Sequence, residues 1–111
     1  EMSASLVGSE MCIRDSYGGC SLLVEAEAQE ESAPPEENAL RARRQSFYER
    51  SGFRRLDYQT RIFGVQYAML VWPEEDAAEP ERLQDAHRGL YRGQLPNPLF
   101  RRVIHIPADE H

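Results

Sequence analysis

The hydrophobic pattern changes its period at Gly52, and this change constrains the fold more than any other feature of the chain. Before it, Glu36 to Ser51 reads as a helix with Asn38 as its N-cap residue and Gly52 as its C-cap residue. After it, apolar and polar side chains alternate, with Leu56, Tyr58, Thr60 and Ile62 on one side. The sequence therefore predicts a helix that ends at Gly52 and leads into a half-buried strand.

The predicted helix has two adjoining lines of side chains. Leu40, Phe47 and Tyr48 are spaced i, i+7 and i+8, which predicts a narrow buried stripe. Arg41, Arg44 and Tyr48 recur at i, i+3 and i+7, so two guanidinium groups and one phenol share a face.

Two further strands complete an α/β fold. The apolar run Leu22–Glu27 precedes the helix, and Val65–Trp72 follows a tight reversal at Phe63-Gly64. The order strand, loop, helix, hairpin implies that Leu22–Glu27 and Phe53–Ile62 run parallel through a right-handed crossover. The more apolar hairpin strand, Val65–Trp72, is expected to lie between them, with Tyr67 and Trp72 in the core of a sheet face.

The region beyond Pro73 is predicted to add a second helix and a short strand. An acidic linker leads to Pro80, which starts a helix with one apolar face formed by Leu83, Ala86, His87, Leu90 and Tyr91. The tail Leu99–Pro107 has the composition of a strand. His87 and His105 both lie among apolar residues, which is more typical of packing histidines than of bases or metal ligands.

Charge and hydropathy exclude several functional classes. The net charge is −6 and all 13 cations are arginine, an acidic balance that argues against nucleic acid as a partner. The longest apolar run, 67–72, is far shorter than the ~20 residues of a membrane-spanning helix. Residues 25–37 carry only acidic charges and 39–55 are strongly basic, which predicts solvated surface charge, mutual pairing or an anion site.

The two cysteines, Cys12 and Cys20, form neither a disulfide framework nor a metal-ligand spacing. We therefore expect a reducing, cytoplasmic setting and no metal site, with Cys20 as a small buried hydrophobe.

The first 16 residues are expected to be foreign to the fold. The chain starts with Glu1, and Ser5–Ser16 shows neither a helical nor a strand period, so it has no face to bury. The segment resembles the translated sequencing-adapter string found at the ends of proteins predicted from metagenome and transcriptome assemblies. This interpretation divides the chain into an artefact at 1–16, a domain at 17–73, and a helix-and-tail extension at 74–111.

The segment Phe47-Tyr48-Glu49-Arg50-Ser51-Gly52-Phe53 resembles the F/L-Y-E-x-x-G-F segment of GNAT-type N-acetyltransferases. In that family a helix ends at the glycine and enters the last β-hairpin, so residues 21–72 look like the fifth strand, fourth helix, sixth strand and seventh strand. The amino-acid sequences of residues 42–50 and 61–67 most resemble those of a bacterial branch of the family. The resemblance implies the carboxyl-terminal half of an enzyme that transfers an acetyl group from acetyl-CoA to an amine on a small molecule or a protein.

The resemblance also implies roles for four residues. Tyr48 matches the helix tyrosine beside the coenzyme A sulfur, where a phenol can protonate the departing thiolate. Asn38, Arg41 and Arg44 are the expected coenzyme A contacts. The family's usual Asn and Ala, seven and four residues before the Tyr, are here Arg41 and Arg44, and guanidinium groups on this face suit phosphates.

The family's Q/R-x-x-G-x-G/A phosphate loop is not found in this sequence. Residues 61–66 come nearest, but Gln66 replaces the required Gly or Ala and the segment reads as a hairpin. We therefore expect the acetyl-binding half of the domain to lie upstream of Tyr17 and this chain alone to be inactive. The alternative is a small α/β module whose Arg41, Arg43 and Arg44 bind an acidic partner; it predicts an autonomous fold, whereas a fragment would expose a sheet edge at Leu22–Glu27.

Overall fold

The computed structural model describes residues 10–14 and 19–108, which form a sheet with helices on both faces. Its strands are β1 (Glu10–Arg14), β2 (Cys20–Glu27), β3 (Arg54–Ile62), β4 (Val65–Trp72) and β5 (Ile104–His105). Its helices are α1 (Pro35–Arg50), α2 (Pro80–Arg92) and α3 (Asn97–Val103), and a short 3₁₀ helix spans Glu74–Ala78. The fold is therefore of the predicted mixed α/β class.

The sheet has the order β1-β2-β4-β3-β5, and every pair of neighbouring strands is antiparallel. Strand β4 lies between β2 and β3, with Val24 opposite Leu70 and Ile62 opposite Val65. Since β2 and β3 both run against β4, they run parallel to each other. The prediction that the second hairpin strand lies between two parallel strands is confirmed.

The β3–β4 reversal is a two-residue turn rather than a phosphate-binding loop. Phe63 and Gly64 have φ values of 50° and 81°, the pair of positive angles that a type I′ hairpin turn requires. Residues 61–66 therefore form the hairpin that the sequence predicts.

Alternation along the strands separates two apolar layers. Leu23, Met69 and Val71 face α2 and pack with its Leu83. Val24 and Leu70 face the other way, where Tyr48 and Phe53 pack against them. Successive side chains of a strand point to opposite faces, so α1 and α2 cover opposite sides of one sheet.

The helices and the tail differ from their predicted details. The N-cap residue of α1 is Pro34 rather than Asn38, because Pro35 supplies a preset φ at the first helical position. Leu40 and Phe47 are exposed, so the predicted buried stripe on α1 is wrong. The tail was predicted to be a strand, but most of it belongs to helix α3, because a proline at the second position of α3 favours a helix start. The strand in the tail is limited to Ile104–His105.

Trp72 was predicted to lie in the core, but it is 46% exposed. It is the last residue of β4, and its ring lies beside Gly52 at the end of α1. Tyr67 is partly buried against the α2 side of the sheet.

Two observations at the amino-terminal side differ from the sequence analysis. Strand β1 pairs with β2, and Met11 and Ile13 alternate into the core, so this segment does have a face to bury and the β2 edge is covered. Cys20 is exposed and forms a disulfide with Cys12, which corrects its assignment as a buried hydrophobe. The foreign origin of residues 1–16 is a statement about the gene and stays a prediction; residues 1–9 and 15–16 lie outside the described residues.

Among the described residues, no helix is both long and apolar enough to cross a membrane.

Candidate functional site

The end of α1 fixes the position of Tyr48. The backbone N–H of Phe53 donates to the carbonyl of Tyr48 (3.0 Å), and the N–H of Gly52 donates to that of Glu49 (3.2 Å). These two bonds, with φ +103° at Gly52, define a Schellman motif, which requires the left-handed backbone that glycine tolerates. The apolar contact that accompanies such a motif joins the Tyr48 and Phe53 rings, whose centroids lie 5.4 Å apart.

Tyr48 is half-buried between α1 and the sheet. Its ring also meets that of Phe47 edge-to-face, with 5.5 Å between centroids. Its hydroxyl donates to Glu10 Oε2 at 3.4 Å, a weak bond to a residue of the segment predicted to be foreign. Burial raises the pKa of the phenol, the negative charge of Glu10 raises it further, and Arg44 opposes both effects. The hydroxyl therefore holds its proton at neutral pH, as a proton donor must.

Asn38 and Arg41 tie α1 to the acidic loop that precedes it. The Asn38 amide accepts from the backbone N–H of Glu30 (3.0 Å) and donates to its carbonyl (2.8 Å). Arg41 donates to the Ala28 carbonyl (3.0 Å), lies within 4.0 Å of three carboxylates, those of Glu27, Glu30 and Glu37, and has a side chain only 13% exposed. Both side chains are therefore bonded within the protein. Of the alternatives that the charge pattern offered, mutual pairing of the acidic loop and the basic helix occurs at Arg41.

Arg44 is in a different position. Its side chain is 59% exposed, and its ion-pair contact is to Glu27 at 4.0 Å. It lines a surface groove of about 440 Å³ together with Arg43, Phe47, Tyr48 and Arg50. The structure thus places Tyr48 and Arg44 together, as predicted, and places Asn38 and Arg41 in the loop contact.

A buried glutamine of α1 was not singled out from the sequence. Gln45 is 2% exposed and donates to the Glu27 carbonyl (2.7 Å) and to Gln29 Oε1 (3.0 Å). Its own Oε1 accepts from Arg55 (2.9 Å). The position has no apolar periodicity, so no pattern in the sequence signals that it is the buried residue of the helix.

A second polar cluster lies under α2, on the opposite face of the sheet. Glu25 Oε2 lies 2.6 Å from His87 Nε2 and accepts from the Tyr91 hydroxyl at 2.8 Å. His87 is fully buried, and its Nδ1 has no partner among the described residues. Burial raises the pKa of Tyr91 far above its ordinary value, with Glu25 adding to the shift. His87 is buried, and it pairs with Glu25 in addition to packing among apolar residues. An acidic residue within an apolar run, Glu25, was the available signal for that partner.

A larger but more polar cavity of about 680 Å³ lies beside the acidic loop. Its walls are amide, carboxylate and hydroxyl side chains with one arginine, supplied by Gln29, Glu30, Glu31, Ser32, Gln59, Arg61 and Gln66. None of the residues predicted to act in chemistry lies in it. In the described part of the chain, no three His, Cys, Asp or Glu side chains are grouped as metal ligands.

No protein-family model matches the chain, and no curated protein or solved structure is significantly similar to it. Function is therefore argued from the residues and their geometry.

Proposed function

We propose that residues 20–72 are the carboxyl-terminal half of an N-acetyltransferase domain, with the α1 surface around Tyr48 as part of its acetyl-CoA site. The observation that carries the proposal is Tyr48 itself. The F-Y-E-x-x-G-F segment that resembles the family forms a helix end whose backbone bonds and aromatic contact hold the phenol in place. The strand–helix–hairpin order, with β4 between β2 and β3, agrees with the same resemblance.

The proposed reaction joins an amine nitrogen to the acetyl carbonyl carbon and breaks the carbon–sulfur bond of the thioester. Tyr48 holds a proton at its hydroxyl and gives it to the departing sulfur. The phenolate then regains the proton that the attacking amine loses, so the protein ends as it began. A phenol kept protonated by partial burial suits this role.

The residues that would hold acetyl-CoA are fewer than the sequence suggested. Arg44 has an exposed guanidinium available for a phosphate. Asn38 and Arg41 are engaged with the acidic loop, so they stabilise the start of the helix that carries Arg44 and Tyr48. With one of the three predicted contacts available, we expect this chain alone to bind acetyl-CoA weakly and to show no acetyl transfer above a no-protein control.

The test uses the complete gene product, with its upstream sequence recovered by long-read sequencing of the source DNA. We expect that protein to acetylate amines and Tyr48→Phe to lower kcat by about 10²-fold or more, since positioned acid catalysis contributes on that scale. Tyr58→Phe, which removes a phenol hydroxyl on the opposite face of the sheet, is the control. Unchanged kcat in a folded Tyr48→Phe protein would remove Tyr48 from the mechanism.

A second candidate function is a small binding module that docks an acidic partner through the arginines of α1. Two features favour it: Arg43 and Arg50 are exposed, and β1 covers the β2 edge that a fragment was expected to leave open. This candidate predicts cooperative unfolding of the isolated chain, and binding of an acidic peptide that weakens as salt is raised.

A further inference from the structure

The outer line of α1 carries positive charge that the protein does not neutralise. Arg43, Phe47 and Arg50 are spaced i, i+4 and i+7, so they lie on one face of the helix. Within residues 10–14 and 19–108, no carboxylate pairs with Arg43 or Arg50, and the contact of Arg44 with Glu27 is long at 4.0 Å. In a chain of net charge −6, this is a local positive surface.

Some arginines of the described residues have close carboxylate partners, while others, such as the exposed Arg54 and Arg101, have none. Arg55 pairs with Glu49 at 3.1 Å and Arg82 with Glu79 at 2.8 Å. Arg41, one turn from the groove, has three carboxylates within 4.0 Å. The acidic side chains of this region therefore gather at Arg41 and leave the groove arginines without comparable partners.

The groove also offers an apolar surface between its charges. The Phe47 ring is 56% exposed, and it lies between Arg43 and Arg50, which are about 10 Å apart along the helix axis. The groove volume of about 440 Å³ is within the range of small-molecule sites. These features suit a small ligand that presents an anionic group to a guanidinium and an apolar or aromatic group to Phe47.

We propose that the side of this groove formed by Arg43, Phe47 and Arg50 is the acceptor site, with Arg44 left to the donor, and that the acceptor is a small amine that also carries a carboxylate and an apolar side chain, as an aromatic amino acid does. The inference rests on the proposed acetyl transfer, because Tyr48 lines the same groove and marks where the amine meets the thioester. Amines with several positive charges, such as polyamines, are disfavoured because the guanidinium groups repel them.

The experiment measures binding to this chain, so it does not depend on turnover. Two probes are compared by NMR titration: N-acetylphenylalanine, which has the carboxylate, and N-acetylphenylalaninamide, which differs from it by that one charge. We expect the acid to bind about five- to tenfold more tightly, since a charge-assisted bond to an exposed arginine has that modest value. The preference should weaken at high salt and should disappear in Arg43→Gln/Arg50→Gln.

Arg101→Gln/Arg102→Gln is the matched control, because it removes two exposed positive charges from α3, in the opposite layer. It should leave the preference unchanged, and backbone amide spectra establish that each variant is folded. Equal affinity for the two probes, or an equal loss in Arg101→Gln/Arg102→Gln, overturns the proposal.

Two further binding measurements would show that a different ligand occupies the groove. Displacement of N-acetylphenylalanine by adenosine 3′,5′-bisphosphate through Arg43 and Arg50 would assign the groove to the nucleotide end of the donor. Tighter binding of an acidic peptide than of either probe would assign it to a protein partner. Either result overturns the acceptor assignment. If instead the acid binds as expected but the complete gene product lacks acetyl transfer, the anion site stands and the proposed function fails.

Discussion

Helices α1 and α2 cover opposite faces of one sheet but are held there by different kinds of contact. Helix α2 buries Leu83 and His87 completely, and Leu83 packs with Leu23, Met69 and Val71. In α1 the buried residue is Gln45, and the ties to the rest of the protein are mostly hydrogen bonds and ion pairs to the loop after β2. Helix α2 is therefore a core element, and α1 is attached largely through polar contacts.

This difference shows where function can reside. Helix α2 packs its apolar face on the sheet and exposes mainly charged side chains. Helix α1 leaves Phe47, Arg43, Arg44 and Arg50 exposed beside a positioned phenol, at a cost in apolar burial. The two layers can therefore be separated by mutation: changes under α2 should act on stability, and changes in the α1 groove should act on binding.

The largest expected effect is on the buried cluster under α2. Glu25→Ala removes the acceptor of both His87 and Tyr91 and should destabilise the protein by about 3–5 kcal/mol, because it leaves buried polar groups unpaired. Glu49→Ala, which breaks an exposed pair with Arg55, should cost about 1 kcal/mol or less. Urea unfolding followed by circular dichroism measures both. Similar losses would mean that Glu25 is not a core residue.

One substitution made in each helix compares the layers directly. Leu83→Ala empties a fully buried site and should cost about 2–5 kcal/mol. Leu40→Ala changes a side chain that is 39% exposed on α1 and should stay within about 0.5 kcal/mol of the parent. Thermal and urea unfolding of the pair provide the test. A large loss in Leu40→Ala would contradict the polar attachment of α1.

The smallest effect at neutral pH is expected at Tyr58. Its hydroxyl is buried without a partner among the described residues, so Tyr58→Phe should change stability by at most about 0.5 kcal/mol or should stabilise. Burial raises the pKa of Tyr58 above its ordinary value near 10, so its contribution is complete below pH 10 and is lost as the pH rises further. Above pH 10, ionisation of Tyr58 should lower the free energy of unfolding of the parent by about 1.4 kcal/mol per pH unit. The free energy of unfolding of Tyr58→Phe should fall less over the same range.

Tyr91→Phe is the matched control, because the Tyr91 hydroxyl donates to Glu25 and its removal should cost about 1.5–3 kcal/mol at pH 7. If the two variants behaved alike at neutral pH, the distinction between a bonded and an unbonded hydroxyl would be wrong.

Much of the fold could be predicted from the sequence because it depends on local signals. The left-handed requirement at Gly52, the turn at Phe63-Gly64 and the apolar run of β4 each fix a piece of backbone, and with the right-handed crossover they predict the order of the three strands β2-β4-β3. The burial of Met11 and the exposure of Leu40 depend on which strand or helix packs nearby. Periodicity within one segment does not carry that information.

The candidate site, like the fold, could be predicted only where the signal is local. Tyr48 and Arg44 share a helical face, so their spacing was enough to bring them together. Arg41 belongs to that face by spacing too, but the acidic loop folds back over it. Gln45, Glu25 and His87 owe their roles to contacts between distant parts of the chain. A single sequence can mark a residue such as Glu25 as unusual in its apolar run, but it does not say which distant residue is the partner.

NMR titration of the isotope-labelled chain with acetyl-CoA tests whether α1 carries the ligand site and α2 the core. We expect weak binding, with Kd about 1 mM, because few contacts are available. The perturbed backbone amides should include Arg44, Phe47 and Tyr48, while Leu83 and His87 should remain unshifted. Perturbations confined to α2, or none on α1 at several millimolar acetyl-CoA, would contradict this assignment.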